Sequence, residues 1–498
     1  MIIPQLQKII ISKYTFPLAL TFRILNLIVV KSYFVPDEYW QSLEVAHNFV
    51  FGYGYLTWEW QQGIRNYLHA VSIAVIYKFL QILHIDHPFL LTFTPRLAHA
   101  IFSAYADSCF VQWVRKETNV KQASYALYCY LSCWFISYCA TRTLINTVEL
   151  NLTCIALFYY PSHKHQNSDS RFLWIVSLIC VMRPTGAIVW LPLCVFHIYE
   201  SQNVLKTVIN YYLPIGLTTL LISTLIDSYF YGALIFTSFR FLRFNIVHNI
   251  SAHYGINSFL WYIFEGLPTI LGPFFIPLIR GPSRLNPLKK KLIYSVLFSL
   301  LVYSFVPHKE HRFLLPLMPA MMFIVSDRMF IWLNHLKNQR YTNWILIFVL
   351  TVNISILTFF GMFHQIGSIA VLEKIPRVDN TNLLFLTPCH STPLYSHIHA
   401  NISTRFLTCE PNLKAVSNYI DEADMFYKNP MRWLTSEFKG VPFSELPTHI
   451  VLYDKLLDSI LPFLQDKNYR LIERIFHSYI ITDDRISSHI CLLEKYKQ

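Results

Sequence analysis

Charge is what this chain most lacks. Asp, Glu, Lys and Arg make up 14% of its 498 residues, and apolar residues make up 54%. A soluble globular domain carries roughly 25% charged residues. The shortfall excludes an ordinary water-soluble enzyme and places the chain in a membrane. Several chemical signatures are missing too. There is no HExxH and no pair of CxxC motifs, and the twenty histidines are dispersed, His163 and His165 flanking a lysine. No metal site is therefore expected. A DxD motif is absent, because Asp37-Glu38 and Asp483-Asp484 are contiguous pairs. Neither a P-loop nor GxGxxG occurs, which weighs against a soluble-nucleotide fold. No internal repeat, low-complexity segment or coiled coil stands out. The net charge of +12 implies no nucleic-acid partner, since the basic residues are scattered through short loops between apolar runs, where the positive-inside rule places them. No small-residue cleavage site follows Lys8 and Lys13, so the N-terminus reads as an uncleaved anchor that starts in the cytoplasm.

What is there is a series of apolar runs. About 20 apolar residues cross a bilayer, and candidates fall at 14–33, 68–84, 90–113, 123–141, 143–161, 172–199, 207–227, 259–280, 292–307, 313–333 and 343–364. The fold class expected is an α-helical polytopic membrane protein of about 10–12 spans. Its spanning domain is 1–364, with a first non-cytoplasmic loop at 34–67. The run 172–199 holds Arg183-Pro184 at its middle, so it is one broken span or a hairpin of two short ones. Runs 68–84 and 90–113 leave the basic loop Arg115–Lys121 on the wrong side for its charge, unless one of them is re-entrant. Composition changes after 365. Prolines, the alternating run His449–Tyr453, a helical pattern near 455–466 and a closing strand near 489–494 predict a small α/β domain over 365–498. Loop charges put that domain, the first loop and the segment His308-Lys-Glu-His-Arg312 on one non-cytoplasmic face.

Asp37 and Glu38 sit in the first loop, within Phe34-Val-Pro-Asp-Glu-Tyr-Trp-Gln-Ser-Leu-Glu44. A carboxylate beside a bilayer costs free energy unless it is solvated, paired or used. One acts as a general base toward a hydroxyl, or Pro36-Asp37-Glu38 opens a helix with its acids at the positive end. His308, Lys309, Glu310 and Arg312 form either an anion clamp, in which Glu310 orients the cations, or a solvated loop. Arg142 lies seven residues before Glu149, on the same helical face. The two pair, or Arg142 points into a cavity. Arg96 and Asp107 mark a polar cavity or a buried ion pair. The aromatic run Tyr53–Trp60, with Trp58 and Trp60, suits an interfacial belt or stacking on sugar faces. Cys389 and Cys409 form a disulfide if the tail lies in an oxidising compartment. N-x-Ser/Thr sequons occur at Asn151, Asn249, Asn353 and Asn401. The first and third fall in or near spans, leaving Asn401 and Asn249 as candidate glycosylation sites.

An early Pro-Asp-Glu-Tyr-Trp-Gln loop, many spans, and a late His-Lys-Glu-x-Arg-Phe ahead of a span resemble the dolichyl-phosphate-mannose-dependent mannosyltransferases of the GT-C superfamily. The resemblance extends to Phe51-Gly-Tyr-Gly-Tyr-Leu-Thr-Trp-Glu-Trp60, Ile64-Arg65, Thr141-Arg-Thr143 with Asn146, Arg183-Pro184, Tyr254-Gly255, Gly266-Leu-Pro268, and Pro388-Cys-His-Ser-Thr-Pro393 with Ser396 and His399. It departs at Val35, where relatives often carry a polar residue. The resemblance implies a multi-pass protein of the endoplasmic reticulum membrane with a lumenal site, and no cofactor beyond its donor, dolichyl-phosphate mannose. The acceptor implied is a mannosylated GPI lipid precursor, which gains a third, α-1,2-linked mannose with inversion. Asp37 is implied as base with Glu38 beside it, and Lys309, Arg312 and His308 at the leaving phosphate. Arg65, Arg96 and Arg142 are further candidates for substrate binding. A sibling enzyme, acting on the N-glycan precursor or adding a fourth GPI mannose, would share this chemistry. A polar-lipid transporter is the remote alternative, and it predicts inverted repeats.

Overall fold

The computed structural model describes residues 13–161, 170–247, 255–280, 286–336, 338–378, 380–413, 416–481 and 483–496. Asn249 lies outside them. The chain packs as two compact units. One comprises Met1–Val29, Gln62–His69 and Arg96–Leu357; the other comprises Val30–Gln61, Ala70–Pro95 and Thr358–Gln498. Composition divides the chain at 364/365. Packing groups the tail with most of the first loop.

The first unit is helical. Among the described residues, four helices are long and apolar enough to cross a membrane: Val204–Tyr231, Tyr262–Ile279, His311–His335 and Gln339–Met362. Shorter apolar helices include Thr15–Val29, Ile145–Tyr159, Arg171–Met182 and Gly186–Tyr199. The last two are the halves of the run at 172–199. Arg183 is extended, with φ −146° and ψ 103°, as the residue before a proline prefers. Helix resumes at Gly186, which lies against the Ile179 side chain of the preceding helix and leaves no room for a Cβ.

Several buried charges in this unit are paired, as a low-dielectric interior favours. The pairs differ from those expected. Asp107 accepts from Arg23 Nε at 2.7 Å and Nη2 at 3.1 Å, so its partner comes from the first span and is not Arg96. Glu149 accepts from Arg183 at 2.8 Å, so the Arg142–Glu149 pairing is replaced. Arg142 is buried, donates from Nε to the Tyr138 carbonyl at 3.1 Å and lies 4.1 Å over the Tyr138 ring. Lys289 reaches Asp327 at 2.5 Å, and Gln122 donates to the other oxygen of that carboxylate at 2.6 Å. Asn151 and Asn353 are buried and bonded to Ser103 Oγ and the Trp134 amide, as befits sequons within helices.

The second unit is built on a five-stranded sheet. Its strands are β1 Asn382–Leu386, β2 Ser403–Phe406, β3 His449–Tyr453, β4 Tyr469–Phe476 and β5 His489–Lys495, in spatial order β2-β1-β3-β5-β4. β1 pairs in parallel with β2 and β3, and β5 pairs antiparallel with β3 and β4. Side chains alternate between faces along a strand, and both faces are apolar here. Leu383, Phe385, Val451, Tyr453, Ile490 and Leu492 pack with Tyr39, Trp40 and Leu43 of the first loop and with Ile73 and Tyr77. Leu384, Leu386, Ile450, Leu452, Cys491 and Leu493 pack against Phe426, Leu434, Ile460 and Phe463 from the tail's own helices. The tail is thus the bed on which the Asp37 segment is laid.

A test of this packing is available at Gly367, where a Cβ would stand 2.9 Å from His477 Cα and 3.0 Å from the Phe476 carbonyl oxygen. Gly367→Ala is expected to destabilise the protein by about 1–3 kcal/mol through overpacking, lowering its thermal unfolding temperature in detergent. Gly216→Ala, with nothing within 4 Å, serves as the control and should not lower it.

Candidate active site

In the second unit the helix that carries the two acids opens directly at Asp37. Pro36 fixes the entry. The Tyr39 and Trp40 amides donate to the Pro36 carbonyl, each at 3.0 Å, and a wide π turn spans Tyr39–Leu43 before α-helix Glu44–Phe51. Such wide turns recur at functional sites. Asp37 is half-buried and Glu38 is 2% exposed. The helix-opening reading of the pair holds: the acids sit in a helix's first turn, where the dipole favours them, and Asp37 retains access to solvent. Gly52 ends the helix at φ +79°, its amide donating to Asn48 O at 2.9 Å, which suits glycine.

The tail holds this helix along its length. Trp40 Nε1 donates to the Thr392 carbonyl at 3.2 Å, and Tyr33 Oη to the His390 carbonyl at 2.6 Å. Glu44 accepts from the Leu394 amide at 2.8 Å and from Ser396 Oγ at 2.6 Å. Burial raises the Glu44 carboxyl above its usual range, and these hydrogen bonds oppose the rise. Further along, His47 Nε2 meets His399 Nδ1 at 3.0 Å, and His399 Nε2 lies 3.5 Å from Asp86. The Cys389 and Cys409 sulfurs are bonded to each other. Trp58 and Trp60 are buried, and Trp60 Nε1 donates to the Trp40 carbonyl at 3.3 Å. Asn401 is exposed.

The first unit carries the second cluster. Both Glu310 oxygens accept from Arg312, from Nε at 2.6 Å and Nη2 at 2.6 Å, and His308 Nε2 approaches the same carboxylate at 3.0 Å. Burial raises the Glu310 carboxyl, but the Arg312 charge and the His308 contact outweigh it and hold the group well below the usual carboxylate range. A depressed folded-state value means that the pair's stabilisation is complete above the unfolded value, about 4.3. It is lost as pH falls toward the folded one. Lys309 is 5% exposed and donates to the Asn257 carbonyl at 3.2 Å and the Val306 carbonyl at 2.7 Å.

Arg183 belongs to this cluster, although the sequence assigns it no site role beyond the mid-span break and the resemblance. Its guanidinium is held by Glu149 at 2.8 Å, and Asn146 Nδ2 donates to the Arg312 carbonyl at 3.3 Å. It lies 5.2 Å over the Phe313 ring, and Arg312 lies 5.6 Å over the same ring. The available signal was an arginine before a proline in mid-span, with Glu149 and Asn146 on one helical turn. Arg183, Lys309 and Arg312 against Glu149 and Glu310 leave one net positive charge before His308 is counted. A buried, hydrogen-bonded cationic patch of that kind suits a phosphate.

Arg65, Arg96 and Arg142 are in the first unit. Arg96 is half-buried. The backbone at Arg65 is fixed by Tyr231 Oη, which donates to its carbonyl at 2.8 Å, and the guanidinium lies 5.9 Å over Phe241. The adjoining residues are anchored on buried Asp227, which accepts from the Tyr67 amide at 2.8 Å, Asn66 Nδ2 at 2.8 Å and Thr237 Oγ1 at 2.6 Å.

The family model of the Alg9-like mannosyltransferases matches residues 14–399. A Drosophila melanogaster protein named GPI mannosyltransferase 3 is 42% identical over 483 residues, covering 94% of this chain and 84% of its own. A human GPI alpha-1,2-mannosyltransferase 3 is 39% identical over 494 residues, with 97% and 87% covered. Among solved structures, ArnT from Cupriavidus metallidurans bound to undecaprenyl phosphate matches at a TM-score of 0.56 and 11% identity, covering 96% of each chain.

Proposed function

The chain belongs to the Alg9-like mannosyltransferase family, and from that premise we propose that it adds the third, α-1,2-linked mannose to a GPI-anchor precursor, taking it from dolichyl-phosphate mannose. The observation that carries this reading is identity near 40% across almost the whole chain to relatives named for that step. The setting is the endoplasmic reticulum membrane, with the site on the lumenal side. The spanning domain is 1–364 and the lumenal domain 365–498.

In this scheme the 2-hydroxyl oxygen of the acceptor's second mannose attacks the anomeric carbon of the donor. Asp37 takes the hydroxyl proton as that bond forms, and Glu38 positions it or the acceptor. The bond from the anomeric carbon to the phosphate oxygen breaks, and its electron pair leaves with dolichyl phosphate. One displacement turns a β-linked donor into an α-linked product. Arg312, Lys309 and Arg183 stabilise the charge that grows on the departing phosphate, with Glu310 and Glu149 holding the two guanidinium planes. The scheme calls for no metal, since these fixed cations meet the phosphate.

Lipid analysis of cells lacking the protein tests the assignment. A GPI precursor carrying two mannoses is expected to accumulate. A truncated N-glycan precursor would move the chain to the sibling step, and a precursor with three mannoses to the fourth GPI addition.

A further inference from the structure

Helix Gln339–Met362 is long and apolar enough to cross a bilayer. Trp344, Ile347, Phe348 and Ile354 are exposed along one side of it, at the spacing of a single helical face, as a lipid-facing stripe requires. Its end is tied to the chain that leaves helix Thr15–Val29. The Lys31 and Ser32 amides donate to the Gly361 carbonyl at 2.8 and 3.1 Å, and the Tyr33 amide donates to the Gln365 carbonyl at 3.1 Å. Two apolar helices thus finish at one hydrogen-bonded knot, which marks the level where the chain leaves the hydrocarbon. The loop between β4 and β5 is fastened to the same knot. The Ile366 amide donates to the His477 carbonyl at 3.0 Å, His364 Nδ1 meets Ser478 Oγ at 2.8 Å, and Gly367 lies against His477 with no room for a Cβ. His477 and Ser478 are buried, yet the next three side chains turn outward: Tyr479 is 70% exposed, Ile480 44% and Ile481 51%. Their backbone is fixed by Ser478 Oγ, which donates to the Ile480 carbonyl at 2.8 Å and accepts from the Ile480 amide at 3.2 Å.

We propose that Tyr479-Ile480-Ile481 is a membrane-surface anchor, a rigid apolar tip that enters the lipid interface beside the end of helix Gln339–Met362. The partner is the bilayer's own phospholipid. Three successive exposed apolar side chains on a loop mark an interaction surface, and the knot puts this one at the edge of the lipid. Phe363, the first residue past the helix, is 44% exposed at the same level. Tyrosine suits the position, since its ring takes apolar surroundings while its hydroxyl stays among the headgroups. The root of the loop is buried and bonded, so the tip is presented without further ordering. The anchor holds the β4–β5 end of the sheet against the membrane, and the opposite strands of that sheet carry the bed of the Asp37 segment. This inference rests on the membrane setting and is independent of the transfer chemistry.

The test uses the full-length protein reconstituted in phosphatidylcholine vesicles, with a nitroxide spin label on Ile480→Cys. Of the native cysteines, Cys389 and Cys409 are bonded to each other and the other eight are buried or half-buried, so the wild-type chain treated with the same label supplies the background. Oxygen concentrates in hydrocarbon, whereas a charged nickel chelate stays in water. The ratio of oxygen to chelate collisions at 480 is expected to exceed several-fold the ratio at Asp466→Cys, an exposed position at the end of helix Leu457–Asp466. Ile481→Cys is the second site, used if the first substitution impairs folding, and it is expected to give the same result. A ratio equal to that at 466 would put the loop in water and overturn the proposal. Few collisions with either reagent would show that protein covers the loop, from a partner or a second copy, and would overturn it equally.

Discussion

Asp37→Asn is expected to lower mannose transfer by about 10³-fold, the middle-to-upper range for loss of a general base, with the protein still folded in the membrane. The substitution is isosteric, and asparagine is accepted in a helix's first turn. The Pro36 carbonyl bonds that open the helix are backbone bonds and survive. The clamp from Cys389 to Ser396 binds other residues of the same helix. Only proton acceptance is lost, so intact folding with no transfer is the predicted signature. In a cell line lacking the endogenous step, the variant should fail to restore GPI-anchored proteins to the surface. Restoration at wild-type level would remove Asp37 from the mechanism.

The second large effect is expected at Arg312. It grips both oxygens of Glu310 with two parallel bonds of 2.6 Å. Arg312→Lys retains the charge but loses the fork, since an ammonium is a point donor. We expect transfer to fall by about 10²-fold, the lower end for removing one transition-state donor. Most of the loss should appear in kcat, with KM for the lipid donor rising and KM for the acceptor nearly unchanged. A lysine variant with wild-type donor kinetics would show that the bidentate geometry serves the fold alone.

The architecture was legible where a single physical signal dominated. Scarce charge announced the membrane. Proline at 184 placed the helix break correctly between Met182 and Gly186. Alternation at His449–Tyr453 and the run near 489–494 read as strands, and both are. The helix start at Asp37 followed from Pro36 and the two acids. Partners far apart in the chain were not legible. Helical spacing offered Arg142 to Glu149 and proximity in sequence offered Arg96 to Asp107, but the structure supplies Arg183 and Arg23 across 34 and 84 residues. Spacing rules see one helix at a time, and buried pairing is decided between helices. The tail's relation to the first loop was hidden for the same reason, because Trp40 and Glu44 meet residues some 350 positions away. Arg183 stands out in the sequence as a mid-span arginine before a proline that needs a buried partner, but the partner itself, Glu149, is not legible there because it lies on another helix.

The most direct measurement is transfer by the purified chain, reconstituted in lipid with radiolabelled dolichyl-phosphate mannose and a synthetic GPI acceptor bearing two mannoses. The account predicts a three-mannose product whose new sugar is released by an α-1,2-specific mannosidase, made by the wild-type chain and not by Asp37→Asn. A product with another linkage, transfer to an N-glycan precursor instead, or equal turnover by the Asp37 variant would contradict it.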